Sequence, residues 1–141
     1  MADVKEMMAA YAAEAVDYAA KLKYHLDYSE KSIESIEAIC DLLYKSIPRG
    51  FFQKLFKKAP PDATIQQMAK MLGGYVGEVM IRQYGGAWGV EDFMGETTLL
   101  LTIGEMKTFP PSKVYKRLTN GPGDNLVYYY QVMVKELRQP G

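Results

Sequence analysis

Leu72-Gly73-Gly74-Tyr75-Val76-Gly77-Glu78-Val79-Met80-Ile81-Arg82-Gln83-Tyr84-Gly85-Gly86-Ala87-Trp88 decides the architecture of this 141-residue chain. Five glycines, one acid, one base and the only tryptophan stand there among apolar residues. Gly73 and Gly77 lie four apart and share a helical face. Each costs roughly 1 kcal/mol of helix stability relative to alanine, a loss that close approach of another backbone offsets. The pattern predicts a tightly packed helix whose Gly73/Gly77 face meets another helix, first of all the alanine-rich one at the start of the chain. Gly85-Gly86 then supplies a left-handed stop, and a strand begins near Trp88. The same glycine spacing inside a bilayer would signal helix dimerisation, but Lys70, Glu78 and Arg82 exclude that environment.

Upstream of this stretch, Pro60 and Pro61 close a preceding segment, and Asp62 or Thr64 caps the helix. Its inward stripe is Ile65, Met68, Leu72, Tyr75 or Val76, and Val79. Further upstream, Val4, Met8, Tyr11, Ala15, Ala19 and Leu22 recur at three- and four-residue spacing, which predicts a first helix over about 3–23. Ser29 caps a second helix with Ile33, Ile36, Cys40, Leu43 and Ile47 inside and Glu30, Lys31, Glu34 and Glu37 outside. Pro48 and Gly50 end it. Phe51–Lys58 is short, aromatic and basic, and reads as a connector with its phenylalanines turned inward or as an exposed recognition segment.

Downstream, Ala87–Phe93 and Thr97–Gly104 read as two strands of a hairpin closed by Met94-Gly95-Glu96. Pro110-Pro111 opens a helix over Ser112–Leu118, and Asn120–Gly123 is a turn. Asp124 caps a last helix that carries Leu126, Tyr130, Met133 and Leu137. The expected fold is a helix-rich α+β single domain spanning 1–141, with a small antiparallel sheet.

Seventeen bases balance seventeen acids, so no global field favours nucleic acid or an anionic membrane. The charge is nevertheless polarised. Residues 1–44 hold nine acids and four bases, and residues 45–58 hold five bases and no acid. No apolar run approaches the roughly 20 residues needed to span a bilayer. The start, Met-Ala-Asp-Val-Lys-Glu, lacks the basic-then-apolar pattern of a secretory signal, and the expected compartment is the cytoplasm. Cys40 is the only cysteine and His25 the only histidine. No disulfide, zinc site or paired-imidazole metal site follows, and no cofactor motif is present. Cys40 sits in an apolar register and reads as a small buried hydrophobe.

No catalytic set emerges. Tyr28-Ser29-Glu30 and Pro111-Ser112-Lys113 lack the elbow that exposes a nucleophilic serine, and Gly121–Gly123 lacks the context of a phosphate loop. Lys113, Lys116 and Arg117 read as a solvated helix face rather than an anion site. The candidate binding residues are Glu78, Arg82, Trp88 and Tyr128. Glu78 and Arg82 have the i, i+4 spacing of an ion pair, either structural or part of a recognition site. Trp88 reads as a core anchor at a helix–strand junction or as a ligand platform. Within Tyr128-Tyr129-Tyr130, helical spacing lets Tyr130 and Tyr129 face the core and leaves Tyr128 partly exposed, as suits protein recognition.

Leu26-Asp27-Tyr28-Ser29 with Ser32-Ile33, Leu72–Val79 through Gly86-Ala87-Trp88, and Lys113–Leu118 ahead of an aromatic final helix resemble, in that order, a group of small bacterial domains of unknown function. The resemblance covers roughly residues 10–137 and omits Phe51–Lys58. It implies no catalytic residues. Some bacterial proteins of this kind neighbour secreted antibacterial toxins and act as their immunity partners. The expectation that results is a non-enzymatic protein that neutralises a toxin by direct contact. The alternative is a small-ligand or enzymatic pocket around Glu78, Arg82 and Trp88.

Overall fold

The computed structural model describes residues 3–46 and 62–138. At its centre is helix α3 (Asp62–Tyr84), in which Ala69 and nearly every residue from Met71 to Met80 are buried. A helix buried on one stripe lies on a surface, whereas one buried all round is enclosed by neighbours. Those neighbours are α1 (Val4–Lys21), α4 (Pro110–Asn120) and the sheet formed by β1 (Ala87–Phe93), β2 (Glu96–Ile103) and β3 (Met106–Thr108). Helices α2 (Ile33–Ser46) and α5 (Leu126–Arg138) complete the molecule against α4. Among the described residues this is a helix-rich α+β arrangement with one three-stranded antiparallel sheet.

Three glycines let α3 be approached from three sides. A Cβ at Gly74 would lie 3.2 Å from Tyr11 Cβ and 3.3 Å from the Met8 carbonyl oxygen, so Gly74 is where α1 comes close. A Cβ at Gly73 would lie 2.5 Å from Pro111 Cα, and one at Gly77 would overlap the six-membered ring of Trp88. The Gly73/Gly77 face is therefore packed as its spacing predicts, but against the start of α4 and the indole rather than against α1. Gly74, about 100° further round the helix, makes the contact with α1.

Helix α1 begins at Asp3, whose carboxylate accepts the Glu6 N–H at 2.8 Å. Its buried side is Met8, Ala12, Ala15 and Ala19. Small side chains on that side allow the short distance to α3. Leu22, placed on the buried stripe by its spacing, is 37% exposed because the helix ends before it. Ser29 Oγ accepts the Ser32 N–H at 3.2 Å and caps a 3₁₀ turn (Glu30–Ser32) that runs into α2. Ile33, Ile36, Ile39 and Cys40 are buried along α2. The expectations for Ile47, Pro48, Gly50, Phe51–Lys58 and Pro60-Pro61 lie outside the described residues.

Helix α3 stops at Gly85, whose N–H returns to the Ile81 carbonyl at 2.8 Å. Strand β1 follows at once. It pairs antiparallel with β2 in the register Trp88↔Leu101, and β2 pairs with β3 in the register Leu101↔Thr108. Phe93 pairs with Glu96, so the hairpin turn is only Met94-Gly95, with φ of 52° and 84°. Two successive positive φ values define the turn whose twist matches the strands, and glycine at the second position carries one without strain. Strand β3, which sequence patterning did not predict, is three residues long, too short to show alternation. Asn125, not Asp124, caps α5, its Oδ1 accepting the Tyr128 N–H at 3.0 Å. Asp124 is instead held by Lys113 at 2.8 Å.

Candidate functional site

Glu78 and Arg82, one turn apart on α3, do not pair with each other among the described residues. Glu78 Oε2 accepts the indole N–H of Trp88 at 3.0 Å. The indole is 7% exposed, and a buried N–H donor requires an acceptor. Arg82 instead lays its guanidinium over the Tyr28 ring, 3.5 Å from the centroid. Such a contact contributes about 0.5–2 kcal/mol depending on desolvation. Tyr28 is itself set on Tyr75, with ring centroids 4.9 Å apart, and the Tyr75 hydroxyl accepts the Tyr28 N–H at 2.7 Å and meets Ser32 Oγ at 2.6 Å. Glu78 and Trp88 are thus brought together, Arg82 goes to the Tyr28–Tyr75 stack, and Tyr128 stands apart on α5, 69% exposed.

Three charged residues that matter more to this structure were assigned to solvated faces by the sequence. Arg117 is buried, its side chain 1% exposed. Its Nε donates to both oxygens of Glu37 at 3.0 and 2.9 Å, and Nη2 donates to Glu37 Oε2 and to Asp41 Oδ1, each at 2.7 Å. Glu37 Oε1 also accepts the Leu126 N–H at 2.9 Å, so one carboxylate ties α2 to α4 and to the first turn of α5. Burial opposes the charge on Arg117, but the hydrogen bonds it donates to Glu37 and Asp41 outweigh that and raise the guanidinium pKa further. Asp41 lies below the ordinary carboxylate range because Lys45 and then Arg117 hydrogen-bond it.

The third residue is Glu30. Its Oε2 accepts the hydroxyls of Tyr130 at 2.7 Å and Tyr84 at 2.9 Å, and Arg138 Nη2 reaches the Tyr84 hydroxyl at 3.3 Å. Burial, followed by the bond to Glu30, pushes the Tyr130 hydroxyl well above its usual range. Tyr129, on the other side of α5, hydrogen-bonds the Thr108 hydroxyl, and burial raises it to about 12. A signal for all three charged residues was present. Glu30, Ile33, Glu37 and Cys40 share one helical stripe, and Arg117 falls between Val114 and Leu118 on another.

Two clefts open beside these groups. One, of about 900 Å³, runs between the start of α2 and α5 over Ile33, Val127, Tyr130 and Val134, with Glu30 on its wall. The other, of about 730 Å³, lies between α3, the sheet and the start of α4, and includes Lys70, Lys116, Val90 and Leu99. Neither is lined by Glu78, Arg82, Trp88 or Tyr128. Among the described residues no group of three His, Cys, Asp or Glu side chains is placed to hold a metal ion, and no helix is long and apolar enough to cross a membrane. Cys40 is fully buried, and burial, then Glu37, pushes its thiol well above the ordinary range.

No family model, no curated protein and no solved structure matches this chain.

Proposed function

We propose that this chain is a non-enzymatic binding protein, a bacterial immunity protein that neutralises a toxin by direct contact. The observation that carries the reading is the cleft between α2 and α5, open, floored by apolar side chains and bounded by charges of both signs. Tyr128, also on α5, adds an exposed amphipathic ring of the kind that protein interfaces use. The resemblance of its segment order to small bacterial domains is what suggests a toxin as the partner. The acidic first third of the chain supports the reading, since it would steer a basic partner such as a nucleic-acid-degrading enzyme.

The alternative, a small-ligand or catalytic pocket around Glu78, Arg82 and Trp88, has less behind it. The Glu78 carboxylate is engaged by the indole, and the Arg82 guanidinium by Tyr28. The test is co-expression with the product of the adjacent gene. Co-purification and rescue of growth are expected. An unrelated metabolic neighbour and no recovered toxin would overturn the reading.

A further inference from the structure

We propose that the α2/α5 cleft receives an amphipathic helix of the partner, about three turns long, with a cationic side chain seated on Glu30. This rests on the reading of the chain as a binding protein and names the surface and the element it binds. The floor runs along a helix axis, since Val127, Tyr130 and Val134 follow one another at helical spacing on α5, with Ile33 of α2 opposite. From Val127 to Arg138 the α5 wall is about 16 Å long, the rise of three turns. Two helices flanking an apolar trough accept a third by ridge-into-groove packing, and no strand lines it to offer an edge to an extended peptide.

Charge fixes the orientation. Glu30 and Glu34 stand on the α2 side, with Lys31 between them, and Lys135 and Arg138 stand on the α5 side. Two acids against one base leave the α2 wall net negative and two bases leave the α5 wall positive, so an occupant with a basic edge toward α2 and an acidic edge toward α5 is the favoured one. Glu30 is the anchor because both of its hydrogen bonds from tyrosine fall on Oε2. Those bonds hold the carboxylate in place, and Oε1 has no hydrogen-bond partner among the described residues. Tyr128, three residues before Gln131 and seven before Lys135, shares their helical face just outside the lining and is within reach of a helix seated there. A second copy of the chain is the weaker occupant, since two concave surfaces meeting face to face enclose a void.

The test uses the full chain and fluorescent synthetic 14-residue helices with a leucine stripe between a lysine edge and a glutamate edge. A second peptide has the two edges exchanged about the stripe, and binding is read by anisotropy. The first peptide is expected to bind at least tenfold more tightly than the second. Glu34→Lys combined with Lys135→Glu changes two exposed positions and is expected to invert that preference, while Glu30→Gln weakens the first peptide about tenfold. Equal binding of both peptides, no binding of either, or a preference that ignores the exchange overturns the proposal. So does concentration-dependent dimerisation that blocks the cleft. A toxin that co-purifies equally with wild type and with the exchanged variant would sink this surface and leave the binding reading standing. Peptides that follow the charges while no toxin is recovered would keep this surface and overturn the toxin as its partner.

Discussion

Glu30 and Glu37 lie seven residues apart on the same stripe of the α2 region, and both point inward, yet they do opposite things. Glu37 meets a buried guanidinium and a backbone N–H, so its charge is neutralised and its lone pairs are used. Glu30 meets two neutral hydroxyls, so it is held in position but keeps its charge at the wall of a cleft. The partner determines the role. A carboxylate paired with a buried cation closes helices together, whereas one positioned by tyrosines remains available to a cation from outside.

The largest effect should come from emptying the first site. Arg117→Met leaves Glu37 and Asp41 beside an apolar side chain, and removing one partner of a buried pair costs about 3–5 kcal/mol. Urea unfolding should show that loss. Glu37→Leu in the Arg117→Met background should restore part of it, because no unpaired charge then remains at that position, although the Leu126 N–H loses its acceptor. If Arg117→Met unfolds within 1 kcal/mol of wild type, as surface substitutions do, Arg117 does not hold the helices together and the contrast with Glu30 disappears.

Next in size is a difference in pH response. Asp41, through Lys45 and Arg117, and Asp124, through Lys113, have carboxyls held below their ordinary values. Near pH 4 and below, the unfolded chain therefore binds more protons than the folded one, and stability falls as pH drops toward the folded-state values. Around Glu30 the sign reverses at the other end of the scale. The Tyr130 hydroxyl is raised by burial and by Glu30, so above about pH 10 the unfolded chain loses protons that the folded one keeps, and stability falls as pH rises. Asp124→Asn should flatten the acid limb of a stability–pH curve and spare the alkaline limb, and Tyr130→Phe should do the opposite. Equal slopes for wild type and both variants would show that neither carboxyl nor phenol is coupled to folding.

The parts of this fold that were legible in the sequence are those in which periodicity and backbone chemistry agree. The alanine stripe of α1, the glycine stop after Tyr84 and the β1–β2 hairpin belong there, as do the buried Cys40 and the exposed Tyr128 beside inward-facing Tyr130. Gly73 and Gly77 announced a close contact but not its partner, because spacing identifies a face and says nothing of which distant element reaches it. Asp124 and Asn125 are both good caps, and Lys113, eleven residues away, together with Asn120 holds Asp124 elsewhere. Most of the candidate site was hidden for a similar reason. Arg117 is buried and Glu30 and Glu37 are half-buried, but their counterparts are 54 to 100 residues distant, beyond the range of any local pattern. The expected Glu78–Arg82 pair failed because an indole N–H and an aromatic face compete for its two members.

A smaller change, Glu30→Gln, separates position from charge. The amide oxygen still accepts from tyrosine and no cation is left unpaired, so stability should fall by about 1.5 kcal/mol, the low end for hydrogen bonds that lose a charged acceptor. The corresponding Glu37→Gln should cost about 3 kcal/mol, because the buried Arg117 guanidinium loses a charged partner as well. Similar losses in matched urea melts would mean that the two glutamates do the same structural work.

The smallest stability effect belongs to Tyr128→Ala, and its smallness is what makes it informative. The ring is 69% exposed, so its removal leaves no cavity. The bond from the Tyr128 N–H to Asn125 is made by the backbone, so the α5 cap survives the substitution. Alanine is the stronger helix former and returns a few tenths of a kcal/mol. Stability should therefore stay within about 0.5 kcal/mol of wild type. Affinity for the lysine/glutamate-edged helix should nevertheless drop severalfold, since a helix seated in the cleft loses an amphipathic contact. A variant that melts normally and binds normally would remove Tyr128 from the interface and confine it to the cleft floor and Glu30. A variant that melts early would show that Tyr128 supports α5 rather than a partner.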